Sequence, residues 1–166
     1  MAEQHQDRFG EAVGLTWKDV DFQKGLIDIN KTFSYNYTKD FAPTKNKSSM
    51  RQIPVSDQTL DLLKIFREKY YTDDEQDRIF HSVSNNAANK TLKKIVGRDV
   101  HIHSLRHTYA SFLITQGVEL LSISEILGYE NLNITISVYT HQLQSLRDKN
   151  NDKIKSIFQR FGAELG

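Results

Sequence analysis

The chain has no cysteine. A disulfide framework and any thiolate metal site are thereby excluded, and an intracellular location is expected. Proline is scarce, with two in 166 residues, so no Pro-rich linker separates domains; internal repeats and low-complexity tracts are also missing. No stretch is long and apolar enough to span a membrane. The polar opening MAEQHQDRFG is no secretory signal. Excess charge of one sign is missing too: the net charge is +1, lower than is common for proteins that hold nucleic acid. What is present is 38% hydrophobic and 26% charged residues, enough apolar material for a core, in a length that fits one domain.

The neutral sum conceals local charge. Lys39, Lys45, Lys47 and Arg51 crowd one segment with a single acid, Asp40, and Lys90, Lys93, Lys94 and Arg98 crowd another. The acids gather at Asp73, Asp74, Glu75 and Asp77. Two basic patches and one acidic loop can set up a one-sided field. They read equally as ordinary solvated faces.

Arg8 to Leu15 reads as helical, Trp17 packs just beyond it, and Gly25 breaks the pattern. From Ile27 the sequence alternates: Ile27, Ile29, Phe33, Tyr35 and Tyr37 on one face, Asp28, Asn30, Thr32, Ser34 and Asn36 on the other, with only Lys31 interrupting the apolar face. That period of two predicts a half-buried strand. Ala42 to Lys45 and Arg51 to Val55 are expected to be further strands, joined through the turn chemistry of Asn46 to Ser49, which gives a small antiparallel sheet of three strands. Ser56 is expected to cap a helix bearing the stripe Leu60, Leu63 and Phe66. Asp73 to Asp77 reads as a charged loop. Ser84 caps a second helix to about Ile95. His103 to Gln116 forms a third, stopped by Gly117, with Leu105, Tyr109, Phe112 and Gln116 on one side and His103, Arg106, His107 and Ala110 on another. Glu119 to Leu127 makes a fourth, stopped by Gly128. Asn131 or Asn133 starts a short fifth that carries Tyr139. Ile154, Ile157, Phe158 and Phe161 mark a final amphipathic helix.

Two strings carry chemistry. His103-Ser104-Leu105-Arg106-His107 sets a histidine and an arginine one helical turn apart, and Val138-Tyr139-Thr140-His141 offers a tyrosine after a short apolar run. Together they suggest a phosphate clamp and a hydroxyl able to attack the phosphate. Attack adds charge to the non-bridging oxygens, and fixed cations must meet it as it develops. Arginine suits that task because its planar fork gives two parallel hydrogen bonds and stays protonated. Arg106 is one candidate, and Arg8 is a second if the fold brings the chain ends together. His103 can donate to a phosphate oxygen or move a proton. Lys45, beside the expected hairpin turn, can protonate the leaving 5′ oxygen. Tyr139 would be the nucleophile, a weak one until a base or cationic surroundings favour the phenolate. Each has a plainer reading: Tyr139 as a core tyrosine, Arg8 as a surface arginine, Lys45 as a solubilising lysine, His107 and His141 as core or cap histidines.

In that order, the motifs resemble the catalytic domain of the tyrosine recombinases, the integrases of phages and conjugative transposons. Arg8-Phe9-Gly10-Glu11-Ala12 followed by Leu15-Thr16-Trp17 resembles the first arginine box. Thr44-Lys45-Asn46-Lys47 leading to Ile53-Pro54 resembles the lysine hairpin. His103-Ser104-Leu105-Arg106-His107 resembles the second box, and Leu127-Gly128-Tyr129 through Val138-Tyr139-Thr140-His141 the third box and the nucleophile. The resemblance implies an α+β fold, mostly helical with a small three-stranded antiparallel sheet, in one catalytic domain over residues 1–166. It implies that Arg8 and Arg106 clamp the scissile phosphate, that Lys45 protonates the 5′ oxygen (with Lys47 its competitor), that His103 assists proton transfer, and that Tyr139 forms a 3′-phosphotyrosyl link. It also implies double-stranded DNA attachment sites, a homotetramer on DNA, accessory DNA-bending or excision factors, a cytoplasmic place at the nucleoid, and neither cofactor nor metal.

Two departures stand out. The position after Leu127-Gly128 is usually histidine or tryptophan in the family. Tyr129 can donate one hydrogen bond there but carries no positive charge. Relatives also have an N-terminal core-binding domain. This chain is expected to lack it, with Met1 to Asp7 expected to be foreign sequence, and poor DNA binding by the chain alone is therefore expected. A DNA-binding or assembly module without catalysis is therefore the alternative, and a type IB topoisomerase a third possibility. The apolar stripe of the last helix is expected to fold back on its own domain, rather than pair two copies or reach a neighbour as in relatives.

Overall fold

Gly10 and Gly14 allow the first helix, α1 (Ala2–Val13), to lie directly on a strand. A Cβ at Gly10 would stand 2.3 Å from Thr32 Oγ1, and one at Gly14 would stand 3.1 Å from the Phe33 amide nitrogen. The structure is a computed structural model that describes residues 2–71 and 74–164; the side chains of residues 2–7, 141–142, 145–146, 148–149 and 161–164 are not among those described. Asp73 and the side chains of His141 and Phe161, each singled out in the sequence, lie outside them. The chain divides into two compact units, residues 1–104 and 105–166.

In the first unit, α1 is followed by a single 3-10 turn at Trp17–Asp19 and five short strands: β1 (Val20–Asp21), β2 (Leu26–Ile29), β3 (Lys31–Phe33), β4 (Phe41–Pro43) and β5 (Arg51–Pro54). The single long strand expected from Ile27 is in fact two. β2 pairs antiparallel with β1 and β5, Ile27 facing Val20 on one side and Ile53 on the other. β3 leaves that sheet and pairs with β4, Phe33 facing Phe41. Asn30 makes the break, donating to Asp19 at 3.0 Å and Asp28 at 3.1 Å, while Lys31 turns inward to an ion pair with nearly buried Asp19. A three-stranded antiparallel sheet is present, but β1 takes the place in it expected of β4. Tyr35 to Tyr37 are not strand, and Tyr37 is exposed to solvent.

Trp17, Val20, Leu60 and Ile79 form one core cluster, with Leu63 and Phe66 of α2 (Asp57–Tyr70) packed on it. Phe9, Val13 and Phe33 form another, with Phe41, Ala88 and Ile102 around them. The expected caps are in place. Ser56 accepts from the Thr59 amide, and Ser84 from the Ala87 amide at the start of α3 (Asn85–Val96). The acidic loop is partly structural, because Asp74 accepts from the Arg78 backbone at 3.0 Å and from its guanidinium at 3.2 and 3.3 Å.

α4 (Ile102–Thr115) carries the chain into the second unit, which continues with α5 (Leu120–Leu127), α6 (Leu132–Val138) and α7 (Thr140–Glu164). Ala110, Ile114, Ile123, Leu127 and Tyr139 make its core. The buried side of α4 is the one bearing His103, Arg106, His107 and Ala110; Leu105, Tyr109 and Phe112 face solvent. Asn131 caps α6, and Tyr139 stands just past its end, at the joint with α7, rather than inside the helix as expected. The described part of α7 leaves Ile154, Ile157 and Phe158 exposed at 50%, 42% and 71%, so the expected folding back of that stripe is not realised. No helix among the described residues is long and apolar enough to cross a membrane.

Candidate active site

The candidate residues fall into both units: Arg8, Lys45 and His103 in the first, Arg106, Tyr129 and Tyr139 in the second. Arg8 sits in α1, one turn before Glu11, and its Nη1 lies 3.6 Å from Glu11 Oε2. The same carboxylate oxygen accepts from Arg51 Nη2 at 2.9 Å. Glu11 and Arg51 are nearly buried, whereas Arg8 keeps 27% of its side chain accessible. Two guanidinium groups share one carboxylate, so the cluster keeps a net positive charge with Arg8 as its more exposed member. Arg51, assigned by sequence to a basic surface patch, instead points inward and also donates to the Ser49 carbonyl at 2.7 Å. Neither role was read from the sequence. The signal for Glu11 was its i,i+3 spacing from Arg8 on a helix.

Lys45 lies exposed between β4 and the 3-10 turn Lys47–Ser49. Asn46 shapes this connection. Its Oδ1 accepts from the Ser49 amide at 3.0 Å and from the hydroxyls of Ser48 and Ser49 at 2.9 and 2.6 Å, and its own carbonyl accepts from Thr44 Oγ1 at 3.1 Å. A side-chain amide bound three times over fixes the base of the loop and leaves both Lys45 and Lys47 on the outside. His103 is half-buried in the first turn of α4, a helix whose entry is tied down by Asn89 Oδ1 accepting from the Ile102 amide at 2.8 Å.

The second unit gathers its candidates closely. Arg106 lies over the Tyr129 ring, 4.5 Å from its centroid, and Nη2 donates to the Leu127 carbonyl at 2.5 Å. Gly128 makes this possible. It closes α5 in the left-handed conformation, φ 62°, and the chain then turns back so that the Tyr129 amide donates to the Ser124 carbonyl at 3.0 Å; a glycine takes that conformation without strain. Tyr129 thus serves as the platform on which Arg106 rests, a contact that its residue type alone did not reveal.

Tyr139 is 2% exposed. Its hydroxyl lies 3.1 Å from His107 Nδ1, and the two rings are tilted at 56° with centroids 5.9 Å apart. Burial holds the phenol pKa well above its ordinary value, the neighbouring Tyr129 phenol adds to that, and the charge of Arg106 opposes it. His107 was read as a core or cap histidine; the structure gives it the hydroxyl of the candidate nucleophile as a partner. Among the described residues, no three His, Asp or Glu side chains are grouped as a metal ion would need.

Residues 2–145 match the phage integrase family. The chain belongs to that family. A XerC-like tyrosine recombinase of Caldanaerobacter subterraneus is 31% identical over 91% of the chain and 46% of its own length. The ICEBs1 integrase of Bacillus subtilis is 25% identical over 90% of the chain and 45% of its own length. The chain therefore spans about half the length of the curated relatives it matches. Among solved structures, the Tn1549 transposon integrase in complex with a circular intermediate DNA has the same fold, with TM-score 0.62, 17% identity, and 89% of this chain and 58% of that one covered. The XerA recombinase crystal structure aligns with TM-score 0.61 at 24% identity, covering 85% and 52%. These two support the expected α+β, mostly helical fold of a tyrosine-recombinase catalytic domain.

Proposed function

We propose that this integrase-family chain is a catalytic domain that breaks and rejoins double-stranded DNA through a 3′-phosphotyrosyl intermediate, serving site-specific integration or excision of a mobile element. The observation that carries the reading is the cluster on the buried side of α4, where Arg106 rests on the Tyr129 ring and the adjoining His107 meets the Tyr139 hydroxyl. Family membership supports it independently.

On this reading both units form one domain, and Arg8, anchored through Glu11 and Arg51, joins Arg106 at the scissile phosphate. The two cations meet the charge that develops on the non-bridging oxygens. Tyr139 attacks phosphorus, Lys45 on its outward loop protonates the 5′ oxygen, and His103 assists proton transfer. One ester replaces another, so the cut strand is rejoined without an external energy source. Tyr129 supports Arg106 and can donate one hydrogen bond, but contributes no charge. The functional assembly is a homotetramer on paired attachment sites, with accessory DNA-bending or excision factors, at the bacterial nucleoid.

The test uses a pool of short duplexes randomised on both sides of a nick, so that the released strand diffuses away. A covalent protein–DNA band on a denaturing gel, lost in Tyr139→Phe, is the expected result. DNA binding without that band makes the chain an assembly module instead. Relaxation of supercoiled plasmid by the unsubstituted chain would move the activity to a topoisomerase.

A further inference from the structure

We propose that His107 receives the phenolic proton of Tyr139 as the tyrosine attacks DNA. This inference rests on the strand-transfer reading above, which has His103 assist proton transfer without naming the group that takes the tyrosine's own proton, and assigns that acceptor. It starts from a difficulty. Tyr139 is buried, so the phenolate is disfavoured just where it is needed. A phenol of that kind needs an acceptor in direct contact, since proton transfer requires hydrogen-bond reach. His107 Nδ1, 3.1 Å from the hydroxyl, supplies that contact.

The local architecture fits the role. His107 follows Arg106 in α4, so the proton acceptor and the candidate phosphate-binding cation come from one rigid helix. Tyr139 is held at the α6–α7 joint, where its amide donates to the Thr135 carbonyl at 3.1 Å and its carbonyl accepts from the Leu143 amide at 3.0 Å. The hydroxyl is therefore presented to α4 by backbone bonds on both sides. Besides His107 itself, Arg106 from α4 and Tyr129 from the segment after α5 act on the phenol. Arg106 stabilises the phenolate but cannot take a proton at any useful pH, and the Tyr129 phenol opposes ionisation. An imidazole gains and loses its proton near neutrality.

The step balances without a further reactant. The Tyr139 Oη–H bond breaks and its proton goes to His107 Nδ1. The Oη–P bond forms, the bond from phosphorus to the 5′ oxygen breaks, and that oxygen takes a proton from Lys45. Religation runs the same transfers backwards. The assignment needs neutral His107 with its proton on Nε2, leaving Nδ1 as acceptor.

Two measurements test it. Nitrogen-15 spectra of the imidazoles in the free chain read the tautomer directly; Nε2–H for His107 is expected, and an Nδ1–H tautomer overturns the proposal. The second compares adduct formation by the unsubstituted chain, His107→Asn, His107→Gln and Lys45→Ala on the randomised nicked pool, made with an ordinary or a 5′-bridging sulfur atom at the nick-side phosphate. Sulfur leaves without protonation, so it restores Lys45→Ala. It should not restore either His107 variant, which fall about 100-fold or more and lose the acid limb of the pH–rate profile. An unchanged rate and profile in both His107 variants, with matching melting curves, sinks the proposal while Tyr139→Phe remains inactive and the parent reading stands. A faster rate also sinks it, for His107 would then only store the tyrosine. No Tyr139-dependent adduct in the unsubstituted chain overturns the parent reading and this inference together.

Discussion

At the scale of single residues, the site uses side chains to hold other side chains. Tyr129 shows this most clearly. Its residue type suggested a weak hydrogen-bond donor in a place usually given to histidine, whereas its ring supports the Arg106 guanidinium. A cation over an aromatic face contributes about 0.5–2 kcal/mol. Tyr129→Ala should therefore slow adduct formation on the order of 2- to 30-fold, and Tyr129→Phe, which keeps the ring, should lose much less. Equal losses in gel-quantified cleavage rates would mean that the hydroxyl matters and the platform does not. Asp19 plays the corresponding structural part. Burial raises its pKa, but hydrogen bonds from Lys31, Thr16 and Asn30 outweigh this, and the carboxyl titrates below its ordinary value of 3.8. A depressed folded-state pKa contributes stability that is fully present above the unfolded value and disappears as pH falls through the folded one. Acid titration followed by tryptophan fluorescence should show stability falling below about pH 3.8, and Asp19→Asn should be less stable at neutral pH with a flatter acid limb.

At the scale of elements, the helices were legible and the strands only partly so. Ser56, Ser84 and Asn131 announce helix starts because their side-chain oxygens accept the first orphan amides, and each does so here. Gly128 announces a stop because the left-handed cap favours glycine. The alternation from Ile27 to Tyr37 gave the right period but not the partner, since strand pairing depends on distant segments that periodicity does not encode. Lys31 on the apolar face was the visible sign of the break, and its meaning depended on Asp19, twelve positions earlier. Glu11 and Arg51 were hidden for a related reason: they meet across forty positions of sequence. The contact of α1 with β3 permits a direct test. Gly10→Ala places a methyl group 2.3 Å from Thr32 Oγ1 and 3.2 Å from the Phe33 carbonyl oxygen. Overpacking of that kind costs about 1–3 kcal/mol. Urea unfolding should show that loss, and Thr32→Ala, which removes the hydroxyl, should recover part of it. A neutral Gly10→Ala would show that the helix shifts freely over the strand.

At the scale of the whole molecule, the last helix poses the remaining question. α7 runs from Thr140 to Glu164, directly after the candidate nucleophile. At about 1.5 Å per residue its 25 residues make a rod of about 38 Å. Ile154, Ile157 and Phe158 repeat at helical spacing and stay exposed, so they add little to the stability of the chain by itself. A surface like this gains stability only when a partner covers it. In a recombinase that works as a homotetramer on DNA, the assembly proposed above, the neighbouring subunit would be that partner. Replacing Ile154, Ile157 and Phe158 together by Gln keeps helix propensity and net charge. The triple variant should melt with the parent chain, within about 0.5 kcal/mol, as exposed substitutions usually do. In sedimentation with duplex DNA it should remain at one copy per site where the parent forms larger complexes. Parent and variant assembling alike would remove α7 from the interface, and a variant that unfolds would mean the stripe is covered within its own subunit. The coupling matters because α7 begins one residue after Tyr139, so a force that reorients the helix acts on the backbone that presents the nucleophile.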